Sequence, residues 1–206
     1  YYFGSLDSEL GKFPGTTCQF ASIAASAPLL HNPGEDWSYG INMDILGCIV
    51  EVVSGMSFAD YLDKNIFNPL QMTSTGFAVK PSDKKSFTTL YTSGSFSRDG
   101  EIVGPLGANY ADLEFSKSLR SIDSFDNSPY LTNSSNLYDG GSGLVSSIDD
   151  YSIFSEMLLN NGELNGVRIL SEASVKLMSR NHLNLDDSDA ASFGVSGLGF
   201  GLTVGV

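Results

Sequence analysis

The stretch Pro33-Gly34-Glu35-Asp36-Trp37-Ser38-Tyr39-Gly40-Ile41-Asn42-Met43-Asp44-Ile45-Leu46-Gly47-Cys48-Ile49-Val50-Glu51-Val52-Val53-Ser54-Gly55 leads from a sharp turn into a helix. Asn32-Pro33-Gly34 brings the chain round before Trp37, since proline presets its own backbone angle and glycine adopts conformations that other residues avoid. From Met43 to Val53 the residues Ile45, Leu46, Ile49, Val50, Val52 and Val53 cover most of a helical wheel. Asp44, Cys48 and Glu51 keep to one stripe at i, i+4 and i+7, so the spacing predicts a nearly enclosed helix that Ser54-Gly55 stops.

Downstream, Ser57 with Asp60 three places on is a variant capping box, and Phe58, Leu62 and Ile66 share one face of a second helix. Asn68-Pro69 ends it, because the proline ring disfavours the helical conformation of the residue before it. A third helix starts at Ser147 with Asp150 at the third position, carries Tyr151, Phe154 and Leu158 on one face, and stops at Asn160-Asn161-Gly162. A fourth starts at Ser171, with Glu172 early and Lys176 and Arg180 late as the helix dipole favours. Residues 80–139 show no sustained period and read as elaborated loop, and Gly166 to Leu170 reads as a short strand or an extended loop. At the end of the chain Leu198, Phe200, Leu202, Val204 and Val206 alternate with glycines and Thr203, the pattern of a strand with one apolar face. The bare glycine face suits close approach of another backbone or of a ligand. Upstream, residues 1–38 show a small apolar segment, Phe20 to Leu30. Helices early and a strand late give an α+β architecture.

The chain has 206 residues, enough to bury a core without disulfides. Its 24 acidic and 11 basic residues give a net charge of −13, which disfavours nucleic acid and anionic membranes. No stretch reaches the roughly 18 consecutive apolar residues of a membrane-spanning helix. Cys18 and Cys48 stand thirty residues apart with no C-x-x-C spacing and no histidine cluster. Two thiols, free or buried, are therefore expected in preference to a disulfide, and no metal is expected. The compartment and the oligomeric state stay open. The first residues lack an initiator Met and the last stop inside the alternating segment, so both ends are expected to be cut from something longer.

The search for a complete catalytic set fails in an informative way. His31 lies in a polar turn and His182 at the end of the fourth helix, where a dipole or solvated role outweighs a triad. G-x-S-x-G, G-x-x-x-x-G-K-[ST] and H-E-x-x-H are all absent. What the chain does contain is two ordered blocks. The first is Pro33 to Tyr39, then Asp44-Ile45-Leu46-Gly47, Val53-Ser54-Gly55 and Phe67-Asn68-Pro69-Leu70-Gln71-Met72-Thr73-Ser74-Thr75-Gly76-Phe77. The second is Gly140-Gly141-Ser142-Gly143-Leu144-Val145-Ser146-Ser147, then Asp150-Tyr151, Phe154 and Met157-Leu158. In residue types and order the two blocks resemble the serine β-lactamase-related superfamily, with a texture similar to family-VIII carboxylesterases and class C β-lactamases.

The resemblance implies an incomplete β-lactamase/transpeptidase-like fold, with a helical region over about 1–190 and the start of an antiparallel sheet at about 193–206. It implies a serine acyl-transfer enzyme acting on a small ester or lactam, with no cofactor. In the family a Ser and a Lys of an S-x-x-K motif act with a Tyr, and Tyr39 matches that Tyr. A serine hydroxyl is a poor nucleophile until a base takes its proton, and a phenol serves as that base only if nearby cationic charge lowers a pKa of about 10. Asn42 and Trp37 are the candidate substrate-binding residues and Asp44 a structural support of the Tyr39 loop. The family's lactamases carry Y-x-N, whereas here Ile41 stands in that place and Asn42 one later, which favours an ester. The S-x-x-K motif is missing from residues 1–38. Ser82-Asp83-Lys84-Lys85 has its spacing but reads as a charged, solvated loop, so this chain alone is expected to be inactive. The alternatives are a β-lactamase or a D-amino-acid peptidase of the same fold, and a non-catalytic binding protein that kept the cleft. For Met72 and Thr75 the resemblance implies a family turn with no chemistry.

Overall fold

The computed structural model describes residues 15–35, 40–89, 91–92, 95–96, 102–103, 120–121, 129–132, 137–183, 199–202 and 204–205. Trp37 and Tyr39 lie outside the described residues.

Helix α1 (Thr17–Ala24) begins with a reciprocal cap: the Gln19 N–H donates to Thr16 Oγ1 at 3.3 Å and the Thr16 N–H to Gln19 Oε1 at 2.9 Å. No helix is expected there from the apolar pattern; the T-x-x-Q spacing is the signal that marks it. Helix α2 (Asn42–Ser54) has no side-chain cap at Ile41 and closes on Gly55 at φ +68°, whose N–H donates to Glu51 O. Helix α3 (Phe58–Leu62) is capped by Ser57 Oγ, which accepts from Asp60 N, and it widens into a π-helical turn over Asp63–Phe67. Asn68 stays in the right-handed helical region before Pro69, contrary to the pre-proline expectation, and the helix nonetheless ends there because Pro69 has no N–H to continue the ladder.

Four two-residue strands, β1 (Tyr91–Thr92), β2 (Ser95–Phe96), β3 (Ile102–Val103) and β4 (Arg120–Ser121), pair antiparallel as β1 with β4 and β2 with β3. The brief helix α4 (Pro129–Thr132) follows. Helix α5 (Ile148–Leu159) starts where expected, with Ser147 Oγ accepting from Asp150 N. The segment after it forms a hairpin, β5 (Glu163–Leu164) with β6 (Val167–Arg168), closed by Asn165 at φ +50° and Gly166 at φ +80°. That pair is the left-handed turn that Asn-Gly favours, so the hairpin stands in place of a lone strand from Gly166 to Leu170. Helix α6 (Glu172–Met178) starts at Ser171, whose Oγ accepts from Ser174 N.

The core sits where α3 and its π turn meet α5. Phe67, Leu70, Met72 and the wholly buried Met157 form it, flanked by Leu62, Ile66, Phe154, Leu158 and Ile169. Burying four such side chains contributes about 6 to 12 kcal/mol of apolar transfer.

Three further expectations change. Cys18 and Cys48 are not thiols but a disulfide, with Cα atoms 4.7 Å apart. Sequence separation says nothing about which helices lie side by side, and here α1 packs on α2 so that the two cysteines face each other. Nor is α2 enclosed. Its polar stripe turns inward, with Gly47 against Thr17 and Phe58, Cys48 in the disulfide and Glu51 Oε1 accepting from Phe58 N at 2.9 Å. Its apolar stripe is left open: Leu46 and Ile49 are each 49% exposed, Val52 75% and Val53 82%. Finally, Leu198 to Val206 does not run as one straight strand at its described positions. Phe200 bridges Gly205 and the Gly201 N–H donates to Val204 O, so the chain folds back. The glycines do permit close backbone approach: a Cβ on Gly201 would lie 1.9 Å from Met178 O at the end of α6.

Candidate active site

Asn42 is the first residue of α2 and is exposed, with Asp44 in the same first turn. Asp44 Oδ1 accepts a hydrogen bond from the Gly141 N–H at 3.1 Å. Gly140 lies so close that a Cβ there would come within 1.9 Å of Met43 O. The glycine-rich loop 140–143 is thus clamped onto the start of α2, and only glycine lets the two backbones approach this closely. Gly143, at φ +92°, continues the loop against the Phe77 ring.

Asp139 sits at the foot of the same loop and accepts from Ser142 Oγ at 3.2 Å. Burial first, and then the charge of Asp44, hold its carboxyl above the usual value of 3.8, while the Ser142 hydrogen bond opposes them. Next to it, Tyr138 is tied to α1: its N–H donates to Thr17 Oγ1 at 3.1 Å, and the Thr17 hydroxyl donates to Tyr138 O at 3.2 Å. The Tyr138, Phe77 and Phe58 rings run in a tilted series with centroids 5.0 and 6.0 Å apart.

Behind the loop, a second set of bonds joins the two blocks. Gly76 and Val145 exchange both backbone hydrogen bonds, at 3.0 and 2.8 Å. The buried Asp150 carboxylate accepts from Ser74 N and from Thr75 Oγ1, each at 2.8 Å through Oδ2, and Thr75 Oγ1 lies 2.7 Å from Ser146 Oγ. Thr75 is therefore a buried fastener of the turn, a role its residue type did not announce. The supporting role of Asp150 is not legible in the sequence because its partners Ser74 and Thr75 lie far from it along the chain, as Asp44 does from Asp139. The pairing of Gly76 with Val145 and the ring series were equally invisible.

His182 Nε2 lies 2.8 Å from Leu177 O at the end of α6, a helix-terminal contact. Ser82 is exposed, and its hydroxyl donates to Asp83 Oδ1 at 2.9 Å. Among the described residues, no three or more His, Cys, Asp or Glu side chains gather to hold a metal ion. What the clamp provides is a rigid backbone junction, at the residues that follow position 39, with Asn42 exposed beside it.

A family model described as Beta-lactamase matches residues 5–205. An uncharacterized protein of Mycobacterium tuberculosis is 31% identical over 186 residues, covering 88% of this chain and 40% of its own length. The esterase EstB of Burkholderia gladioli is 32% identical over 131 residues, covering 61% of this chain and 30% of the esterase. Among solved structures, EstCE1, described as a hydrolase with promiscuous acyltransferase activity, superposes with a TM-score of 0.65 at 24% identity, over 94% of this chain and 46% of EstCE1. The chain therefore spans less than half the length of these relatives, and the superposition supports a β-lactamase-like α+β fold.

Proposed function

Because this chain belongs to the beta-lactamase family, we propose that it is part of a serine hydrolase that cleaves small esters through an acyl-serine intermediate, with Tyr39 as the proton shuttle. The observation that carries this reading is the clamp of Gly140 and Gly141 onto Met43 and Asp44, which brings the two sequence blocks to one place at the start of the helix that follows Tyr39. Similarity to the esterase EstB and the displaced asparagine favour an ester over a lactam.

In this reading the parent polypeptide supplies the serine and the lysine of an S-x-x-K motif. The lysine ammonium lowers the pKa of the Tyr39 phenol, the phenolate takes the serine proton, and the serine oxygen attacks the ester carbonyl. The proton then passes from Tyr39 to the departing alcohol. Water, deprotonated by the same phenolate, then attacks the acyl carbonyl, the acyl–serine bond breaks to release the acid, and the proton passes from Tyr39 back to the serine oxygen. Asn42 and Trp37 are the substrate-binding residues in this reading, and Asp44 a structural support.

The test is made in the parent polypeptide, with a short-chain nitrophenyl ester and a chromogenic cephalosporin offered side by side. Tyr39→Phe should lower kcat/KM for the ester by at least about a hundredfold, the scale of a lost acid–base group. Undiminished turnover in that variant would overturn the role of Tyr39. Faster turnover of the cephalosporin would shift the substrate from ester to lactam, and binding of either without acylation would favour a non-catalytic relative.

A further inference from the structure

Helix α1 is eight residues long and buries three side chains, Thr17, Phe20 and Ala21. A helix of fewer than about 12 residues does not hold itself in water, because so few hydrogen bonds leave the cost of nucleation unmet. The place of α1 on α2 therefore depends on what fastens it, and one fastener is covalent. It is the bond between Cys18 and Cys48, the two cysteines of the chain. Both are half-buried, so the bond is not sealed from a small dithiol.

The residues beside the two cysteines lead from that bond to the candidate site. Thr17 precedes Cys18 and is wholly buried, with its methyl group 3.4 Å from where a Cβ on Gly47 would stand, and Gly47 precedes Cys48. The Thr17 hydroxyl accepts from the Tyr138 N–H at 3.1 Å and donates to Tyr138 O at 3.2 Å. Tyr138 in turn leads through Asp139 into Gly140 and Gly141, which are clamped on Met43 and Asp44 at the start of α2. The glycine-rich loop is thus tied to α2 twice, directly at Asp44 and by way of α1.

We infer that the Cys18–Cys48 bond is a redox-sensitive latch on this loop. Oxidised, it keeps Thr17 against Tyr138 and the loop seated; reduced, α1 comes away from α2, Tyr138 loses its partner and the loop is released. The reductant is a dithiol. Its thiolate attacks one sulfur of the pair, the other cysteine leaves as a thiolate, and the second thiol of the reductant breaks the mixed disulfide. Two electrons pass to the cysteine pair and two protons end on its sulfurs, while the reductant becomes a disulfide. The inference goes beyond the proposed function and uses only the geometry of the junction, so a chain that hydrolyses nothing still answers the test.

The 206-residue chain is followed by amide NMR before and after dithiothreitol, with iodoacetamide counting the thiols released. On reduction the Tyr138 and Gly141 amide signals should move, and the Tyr138 N–H should exchange with water at least about tenfold faster. The Asn160 and Gly162 amides, bonded to Glu156 O and Met157 O beside the core, should stay in place. Cys18→Ser with Cys48→Ser should match the reduced chain and ignore the reductant. Thr17→Val, with the disulfide intact, should reproduce the loss of Tyr138 protection, and dithiothreitol should add nothing further there. A bond that resists dithiothreitol until the chain unfolds would overturn the inference, as would Tyr138 and Gly141 signals that stay put once two thiols are free. Loss of the Asn160 and Gly162 signals together with them would make the bond a staple of the whole fold and no latch. A Tyr138 response to reductant that survives unchanged in Thr17→Val would equally defeat it.

Discussion

Asp139 and Asp44 place two carboxylates beside one glycine-rich loop, and the burial of Asp139, with the Asp44 charge second, carries a pH signature. Burial and the Asp44 charge raise the Asp139 pKa in the folded chain, so the fold binds that proton more tightly than the unfolded chain does. The stabilisation is complete below the usual value of 3.8 and is lost as pH rises through the raised pKa. Asp139→Asn should therefore melt higher than the parent sequence at pH 7 and level with it near pH 3, as thermal melts across a pH series would show. Gly140 offers a steric test at the same place. Gly140→Ala puts a methyl group 1.9 Å from Met43 O, which as backbone cannot swing aside, and denaturant unfolding should show a loss of about 3 kcal/mol. At this scale the sequence pointed to Asp44 and the glycine run as separate features. That they touch could not be read from it, because 97 residues separate Asp44 from Gly141.

Among the elements, those defined by local chemistry were legible. The caps at Ser57, Ser147 and Ser171 each accept from the backbone N–H three residues on, since a cap depends only on near neighbours. The cap at Thr16 and the Asn165-Gly166 turn are equally local, and attention to T-x-x-Q and Asn-Gly would have found α1 and the β5–β6 hairpin. The disulfide was not legible, because it depends on α1 lying against α2. With Cys18 and Cys48 thirty residues apart, the bond closes a loop whose freedom in the unfolded chain is worth about 3 to 4 kcal/mol. Replacing both by serine should lower stability by that amount, read as a shift in the urea midpoint, with the midpoint of the replaced chain insensitive to added dithiothreitol.

For the whole molecule, α2 turns its polar stripe inward and leaves its apolar stripe open. Val53→Lys should change the stability of the 206-residue chain by no more than about 0.5 kcal/mol, as at other open surface positions. Thermal melts of the original and the substituted chain check this. The sequence by itself determined the α+β class, the helix starts and the two ordered blocks that carry the family resemblance, because these rest on composition, periodicity and short-range hydrogen bonding. Only the tertiary structure decided that the polar stripe of α2 faces inward, that Cys18 meets Cys48, and that Asp44 and Gly141 form one junction. A helical wheel shows which residues share a face but not which neighbour that face meets, and that choice depends on the packing of segments far apart along the chain.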